Sequence, residues 1–90
     1  MNKQIKKRAL HRAKIIQGQV TGLLKGITSE DYCIDLITQS LCIQKSLKSL
    51  EALILENHLK THVKYQMAEK SQQNRAVSEL LKIYDLSNRS

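Results

Sequence analysis

The chain has 90 residues with no proline, tryptophan or phenylalanine, and aromatic residues supply only 3% of the composition. A chain of this length forms one small domain and not several, and the composition favours helices over a sheet. No apolar run is long enough to span a bilayer and the N-terminus lacks a secretory signal, so we expect a cytoplasmic protein without a membrane partner. In that reducing compartment, Cys33 and Cys42 should remain thiols.

The net charge of +7 belongs to the N-terminal part of the chain. Positions 1–29 carry seven basic residues and no acidic one, whereas the remaining positions carry eight basic and eight acidic residues, which cancel. A solvated basic surface is one interpretation of such a run. Because acidic residues are entirely absent over so long a stretch, we favour a polyanionic partner, nucleic acid before membrane.

Apolar residues recur at spacings of three and four along three segments, which predicts three helices in one all-α domain, 1–90. Gly26 provides a C-terminal stop for the first helix, and Thr28 or Ser29 can cap the second. The polar residues 70–74 predict a loop before the third helix. The three predicted helices cover about 3–27, 30–68 and 75–86.

The second predicted helix is too long for a compact monomer of this size. It contains neither glycine nor proline, and at 1.5 Å per residue it would extend for about 54 Å. Small all-helical chains commonly gain stability by oligomerisation, so we expect this helix to pack against a second copy of the chain.

Two histidines on this helix are candidate metal ligands. His58 and His62 are four residues apart and share one helix face, where two imidazoles can chelate a metal ion. Such pairs also occur by chance on surface helices. A functional site would need a third ligand, and the thiol of Cys33 has suitable chemistry for Cu(I), Zn(II), Ni(II) or Co(II).

Cys33 and His58 cannot share a metal ion within one continuous helix, because 25 residues separate them by about 37 Å. Two antiparallel helices related by a two-fold axis near residues 46 and 47 would remove this difficulty. Cys33 of one chain would then lie beside the histidines of the other, and the symmetry would generate two sites per dimer.

The other candidate residues favour structural roles. Cys42 lies between the two ligand clusters and is interpreted as a small core residue. The residues between His58 and His62 include no glutamate that could act as a base, and no nucleophile constellation is evident. We therefore expect no enzymatic activity.

Three stretches of sequence carry a family resemblance: HRAKIIQGQVTGL at 11–23, YC at 32–33 and ENHLKTHV at 56–63. They resemble the CsoR/RcnR family of metal-sensing transcriptional repressors over nearly the whole chain. The resemblance implies three helices per chain, an antiparallel dimer forming a four-helix bundle, and pairing of dimers into a homotetramer. It also implies binding of double-stranded operator DNA without metal and release of the DNA when the metal binds.

The resemblance assigns roles to individual residues. It implies Cys33, His58 and His62 as metal ligands, with the cysteine from one chain and the histidines from the other. Tyr32 and Glu79 resemble a pair that hydrogen-bonds around the first histidine, although Glu79 matches only if the preceding loop is one residue longer here. The residues that match or extend the DNA-binding surface are Lys6, Lys7, Arg8, Arg12, Lys14 and Gln19.

The sequence leaves the metal open. The family's copper sensors carry a second cysteine where His62 stands, whereas its nickel and cobalt sensors have histidine there and add an N-terminal histidine. No histidine precedes His11 here, so we favour Cu(I) as the effector and keep Ni(II), Co(II) and Zn(II) as possibilities. The alternative function is a structural nucleic-acid-binding helical protein without a metal response.

Overall fold

The structure is a computed structural model that describes residues 1–89. No β-strand occurs among these residues, which confirms the all-α fold class. None of the helices in this range is both long enough and apolar enough to traverse a membrane. The helices are α1 (Lys3–Thr28), α2 (Cys33–His58), a π-helical segment (Leu59–Val63), α3 (Lys64–Ala68) and α4 (Lys70–Ser87).

Three helical segments make up the chain, as predicted. α2, the π-helical segment and α3 follow one another without an intervening residue, so 33–68 is helical throughout. By its internal contacts the chain divides into two compact units, one covering Met1–Glu56 and the other starting at Asn57. The single domain therefore stays a prediction.

The first unit contains α1, which has a defined cap at each end. The side-chain Oδ1 of Asn2 accepts hydrogen bonds from the backbone N–H groups of Gln4 and Ile5, both at 3.0 Å. Such an N-cap satisfies two amides that have no partner within the helix. Five apolar side chains form the buried core of this unit, namely Ile5, Ala9, Ile16, Ile43 and Leu53.

The connection after α1 corrects two predicted helix boundaries. Glu30 adopts a left-handed backbone with φ 54°, and its N–H donates to the carbonyl of Ile27 at 3.0 Å. The N–H of Asp31 donates to the carbonyl of Gly26 at 2.9 Å. This pair of bonds is a Schellman motif centred on Glu30, so Gly26 lies inside α1. The predicted start of the second helix at about 30 is wrong because Glu30 ends the first helix.

The second unit contains the π-helical segment, α3 and α4, and its chain reversal is shorter than predicted. Only Glu69 leaves the helical conformation, with φ −101° and ψ 115°. α4 therefore begins at Lys70, and the loop predicted at 70–74 is wrong. The side-chain Nε2 of Gln73 donates to the carbonyl of Met67 at 2.8 Å across this reversal. Ala76 is completely buried in this unit.

Many large apolar side chains of the described residues are exposed to solvent. Cys42 is also exposed, so its interpretation as a core residue is wrong for the single chain. Large apolar side chains lie on the surface of every major helix, and α2 carries a run of them at helical spacing. These exposed residues of α2 are Ile34, Ile37, Leu41, Leu47 and Ile54.

Candidate metal centre and basic surface

The structure brings His58 and His62 together. His58 is the last residue of α2 and is half-buried, whereas His62 is exposed in the π-helical segment. Their ring centroids are 5.4 Å apart and their planes differ by 30°, which is a stacked arrangement. Two neutral imidazoles on one face of a helix offer the nitrogen ligands that late transition metals accept.

The π-helical segment between these rings is absent from the sequence prediction. The hydroxyl of Thr61 donates to the backbone carbonyl of Asn57 at 2.6 Å, a side-chain bond that is associated with helix distortion. π-Helical turns have a wider repeat than α-helices and occur frequently at functional sites. Apolar periodicity carries no signal for such a turn, because the residues 59–63 also fit an ordinary helix.

Cys33 is the first residue of α2, and its thiol is free and exposed. Within residues 1–89, no three histidine, cysteine, aspartate or glutamate side chains gather into a group that could hold a metal ion. The histidine pair therefore has no third ligand of these types in the described part of the chain. A thiolate with two imidazoles fits the donor preferences of Cu(I), Zn(II), Ni(II) and Co(II), and the shared site stays a prediction.

The family resemblance implies that Tyr32 and Glu79 hydrogen-bond around His58, but both residues have other neighbours in the structure. Tyr32 precedes α2 and is 71% exposed, and its carbonyl accepts a hydrogen bond from Asp35 N–H at 2.9 Å. Oε1 of Glu79 on α4 lies 3.5 Å from Nε of Arg75 and 3.5 Å from Nε2 of Gln66. A hydrogen bond from His58 to Tyr32 or Glu79 stays a prediction.

Sequence reasoning does not single out Gln66, although its position four residues after His62 is a signal for it. Gln66 is half-buried in α3. Its side-chain amide bonds to the Glu79 carboxylate on α4 at 3.5 Å.

The predicted DNA-binding residues of α1 divide into two groups. The five basic residues are all exposed, and Lys7, Arg8 and Arg12 line a surface groove together with His11 and Ile15. Such a surface can contact a polyanion through several cationic groups at once. The five exposed residues are Lys6, Lys7, Arg8, Arg12 and Lys14.

Gln19 differs from these basic residues because it is half-buried. Its Oε1 is inaccessible to solvent and has no hydrogen-bond partner among residues 1–89. Gln19 lines a cavity of about 310 Å³ between α1 and α2, together with Gly22, Thr38, Gln39 and Cys42. Direct contact of Gln19 with DNA stays a prediction, whereas the basic side chains already face solvent.

Comparison with known proteins gives a consistent set of relatives. A family model described as metal-sensitive transcriptional repressor matches residues 5–85. The copper-sensing transcriptional repressor CsoR of Bacillus subtilis is 30% identical over 74 residues, which cover 82% of this chain and 72% of that protein. CsoR of Mycobacterium tuberculosis is 36% identical over 56 residues, which cover 62% of this chain. The chain spans about half of that mycobacterial protein, 47% of its length.

One solved structure is similar to this chain in both fold and sequence. The crystal structure of the copper-sensing repressor CsoR with Cu(I) from Geobacillus thermodenitrificans superposes with a TM-score of 0.79 at 29% sequence identity. The superposition covers 94% of this chain and 91% of the other. Because the family model also matches nearly the whole chain, this protein belongs to the CsoR/RcnR family of metal-sensitive transcriptional repressors.

Proposed function

We propose that the protein is a metal-responsive repressor that binds operator DNA without metal and releases it when Cu(I) binds. The metal ion would be held by Cys33 of one chain and by His58 and His62 of a second chain. The pairing of the two imidazole rings at 5.4 Å carries this proposal. The histidine pair would supply two of the three ligands. The N-terminal helix of the same chain exposes a basic surface.

Cu(I) is favoured over the other candidate metals on two grounds. The Bacillus and mycobacterial relatives are described as copper-sensing, and the solved relative contains Cu(I). One thiolate with two imidazoles is also a complete set for three-coordinate Cu(I), whereas Ni(II) and Co(II) require further donors. Ni(II), Co(II) and Zn(II) therefore serve as comparison metals in the DNA-binding experiment.

A second copy of the chain is needed to complete this site and to cover apolar surface. Ile34, Ile37 and Leu41 of α2 are each more than half exposed. Soluble monomers rarely expose large contiguous apolar surfaces, so this exposure supports association with a second copy. The antiparallel orientation follows from the need to bring Cys33 of one chain to the histidines of the other. Pairing of such dimers into a tetramer is carried over from the family resemblance.

Metal and DNA are linked through the assembly in this proposal. The metal-free assembly presents the basic residues of α1 to the phosphate backbone of double-stranded DNA. The chain has no Trp or Phe to stack on unpaired bases. Metal binding at the ends of the long helices favours an arrangement in which the basic surfaces fit DNA less well. Each ligand then weakens the other's binding by the same factor.

The test is a DNA-binding titration of the metal-free protein at fixed salt, repeated with each of the four metals. The DNA is a double-stranded sequence selected from a random library by the metal-free protein. We expect Cu(I) to weaken DNA binding by about 5- to 150-fold, the usual range of allosteric coupling. If no metal changes the affinity for DNA, the sensor function is rejected and a structural nucleic-acid-binding role remains.

A further inference from the structure

The basic groove on α1 contains a histidine to which the proposed function gives no role. His11 is exposed and lines this groove together with Lys7, Arg8, Arg12 and Ile15. Within residues 1–89, every side chain that lines the groove belongs to α1. The immediate surroundings of the His11 ring in the groove are therefore three cationic side chains and one apolar side chain.

No carboxylate of α1 lies near this imidazole. Lys7 and Arg8 precede His11 by four and three residues, so they occupy the adjacent turn of the same helix face. Positions 1–29 contain no acidic residue, and the groove has no acidic side chain among its lining residues. A negative charge beside His11 therefore has to come from a bound partner.

DNA that occupies the groove would supply this negative charge. Duplex DNA carries one negative charge for about every 1.7 Å of its axis. The four residues from Lys7 to His11 advance about 6 Å along α1, so the DNA charges are more closely spaced than these side chains. A phosphate backbone that contacts both Lys7 and Arg12 also passes the ring of His11, which lies between them in the chain.

His11 differs from its basic neighbours because its charge can change near neutral pH. Lysine and arginine side chains ordinarily stay charged in this range, whereas imidazole changes its charge between pH 5 and 8. A nearby negative charge favours the protonated form, in which both ring nitrogens donate hydrogen bonds. If DNA favours imidazolium, binding takes up protons, and the affinity for DNA rises as the pH falls.

We propose that His11 is a proton-dependent DNA contact. Its protonated ring adds a phosphate-binding cation to the surface formed by Lys7, Arg8 and Arg12. This inference rests on the proposed function, and it adds a residue and a pH dependence to the DNA-binding surface of the metal-free protein. The metal-free repressor binds its operator more tightly in mildly acidic than in mildly alkaline solution, and the effect requires no metal ion.

The first measurement is the affinity of the metal-free protein for the selected double-stranded DNA at fixed salt, at about pH 6 and about pH 8. The wild type should bind more tightly at the lower pH, by at most about tenfold per pH unit for each proton taken up. His11→Asn keeps a polar side chain that cannot be protonated, so its ratio of the two affinities should be smaller. His58 and His62 are unchanged in this variant, so their titration contributes equally to both proteins.

Lys82→His is the matched control for this ratio. Lys82 is exposed on α4, so the substitution adds an imidazole that titrates outside the groove. The ratio of the two affinities should stay at the wild-type value in this variant, because exposed charges far from the bound DNA are screened by salt.

The second measurement is the slope of log K against log salt concentration at the same two pH values. The wild-type slope should be steeper at the lower pH, by about 0.9 for each phosphate that protonated His11 neutralises. His11→Lys carries a permanent cation, so its slope should be steep at both pH values. Circular dichroism establishes that each variant is folded, and if His11→Asn is not, the slopes of His11→Lys decide the question.

The inference is overturned if His11→Asn keeps the wild-type ratio of affinities, or if Lys82→His changes this ratio as much as His11→Asn does. A wild-type affinity or salt slope that is the same at both pH values would also overturn it, as would a slope in His11→Lys that changes with pH as the wild-type slope does. Failure of the proposed function looks different. In that case no metal alters DNA binding by the wild-type protein, while the pH dependence of metal-free DNA binding still responds to His11→Asn.

Discussion

His58 and His62 are stacked in the structure, and the two side chains can share a metal ion only if one nitrogen of each ring points at that ion. Nitrogen ligands bind transition metals at about 2 Å, so two nitrogens on one ion lie within about 4 Å of each other. The ring centroids are 5.4 Å apart and the ring planes differ by 30°. His58 ends α2 and His62 lies inside the π-helical segment, so a metal ion held by both side chains would link this segment to the end of α2.

The identity of residue 62 should set the choice of metal. We predict that His62→Cys strengthens Cu(I) binding and weakens Ni(II) binding, because a second soft thiolate replaces a borderline imidazole. The ratio of the Cu(I) affinity to the Ni(II) affinity should therefore rise. Competition titrations with both metals measure this ratio, and His11→Cys, which adds a thiol outside the site, is the control. An unchanged ratio in His62→Cys would exclude His62 as a ligand.

At the scale of the helices, α1 approaches the start of α2 closely at Gly26. A Cβ atom at this position would lie 2.8 Å from Cδ2 of Leu36 and 3.1 Å from Oδ2 of Asp31. Gly18, in contrast, has no atom within 4 Å of the corresponding position. The two glycines of one helix therefore have different surroundings: a side chain at position 26 would meet the ends of Leu36 and Asp31, whereas Gly18 only lowers helix propensity.

Alanine substitutions at these glycines should have different effects on stability. We predict that Gly26→Ala is less stable than Gly18→Ala, because its methyl group has to displace the ends of the Leu36 and Asp31 side chains. Gly18→Ala should raise the free energy of unfolding by about 0.5–1 kcal/mol, because alanine replaces glycine in an open helical position. Urea unfolding followed by circular dichroism measures both. If Gly26→Ala is as stable as Gly18→Ala, the close approach at Leu36 is not a constraint.

Comparison of the predicted with the observed helices shows which parts of this fold and site the sequence alone predicts. The spacing of apolar residues predicted α1 almost to its last residue, and the His58–His62 pair followed from helical periodicity. The loop at 70–74 was mispredicted because a single extended residue, Glu69, suffices to reverse the chain. The bond between Gln66 and Glu79 depends on packing between α3 and α4, which no local pattern encodes.

For the whole molecule, the excess positive charge and the exposed apolar surface indicate two kinds of partner. The excess positive charge lies on α1, and its basic side chains are exposed. The long helix meanwhile carries apolar residues that one chain leaves uncovered. In the proposed assembly, the basic side chains of α1 would bind DNA and the apolar residues of α2 would pack against a second copy of the chain.

The charged surface of α1 should bind DNA mainly through phosphates. We predict that Lys7→Ala and Lys14→Ala each weaken DNA binding to a similar extent for different sequences. Each should also reduce the slope of log K against log salt concentration by about one for every phosphate that the variant fails to neutralise. Lys82→Ala, which removes an exposed lysine of α4, is the control and should leave the slope unchanged. Equal slopes for all three variants would exclude α1 as the phosphate-binding surface.

The most direct test of the shared metal site is a mixing experiment with Cys33→Ala and His58→Ala. Neither variant alone should bind Cu(I) tightly. After the two are unfolded and refolded together, each mixed dimer should contain one intact site, built from Cys33 of one chain and the histidines of the other. Random pairing makes half of the dimers mixed, so tight Cu(I) binding should recover to about one quarter of the wild-type stoichiometry. No recovery after refolding, or full tight binding by either variant alone, would contradict a site that two chains share.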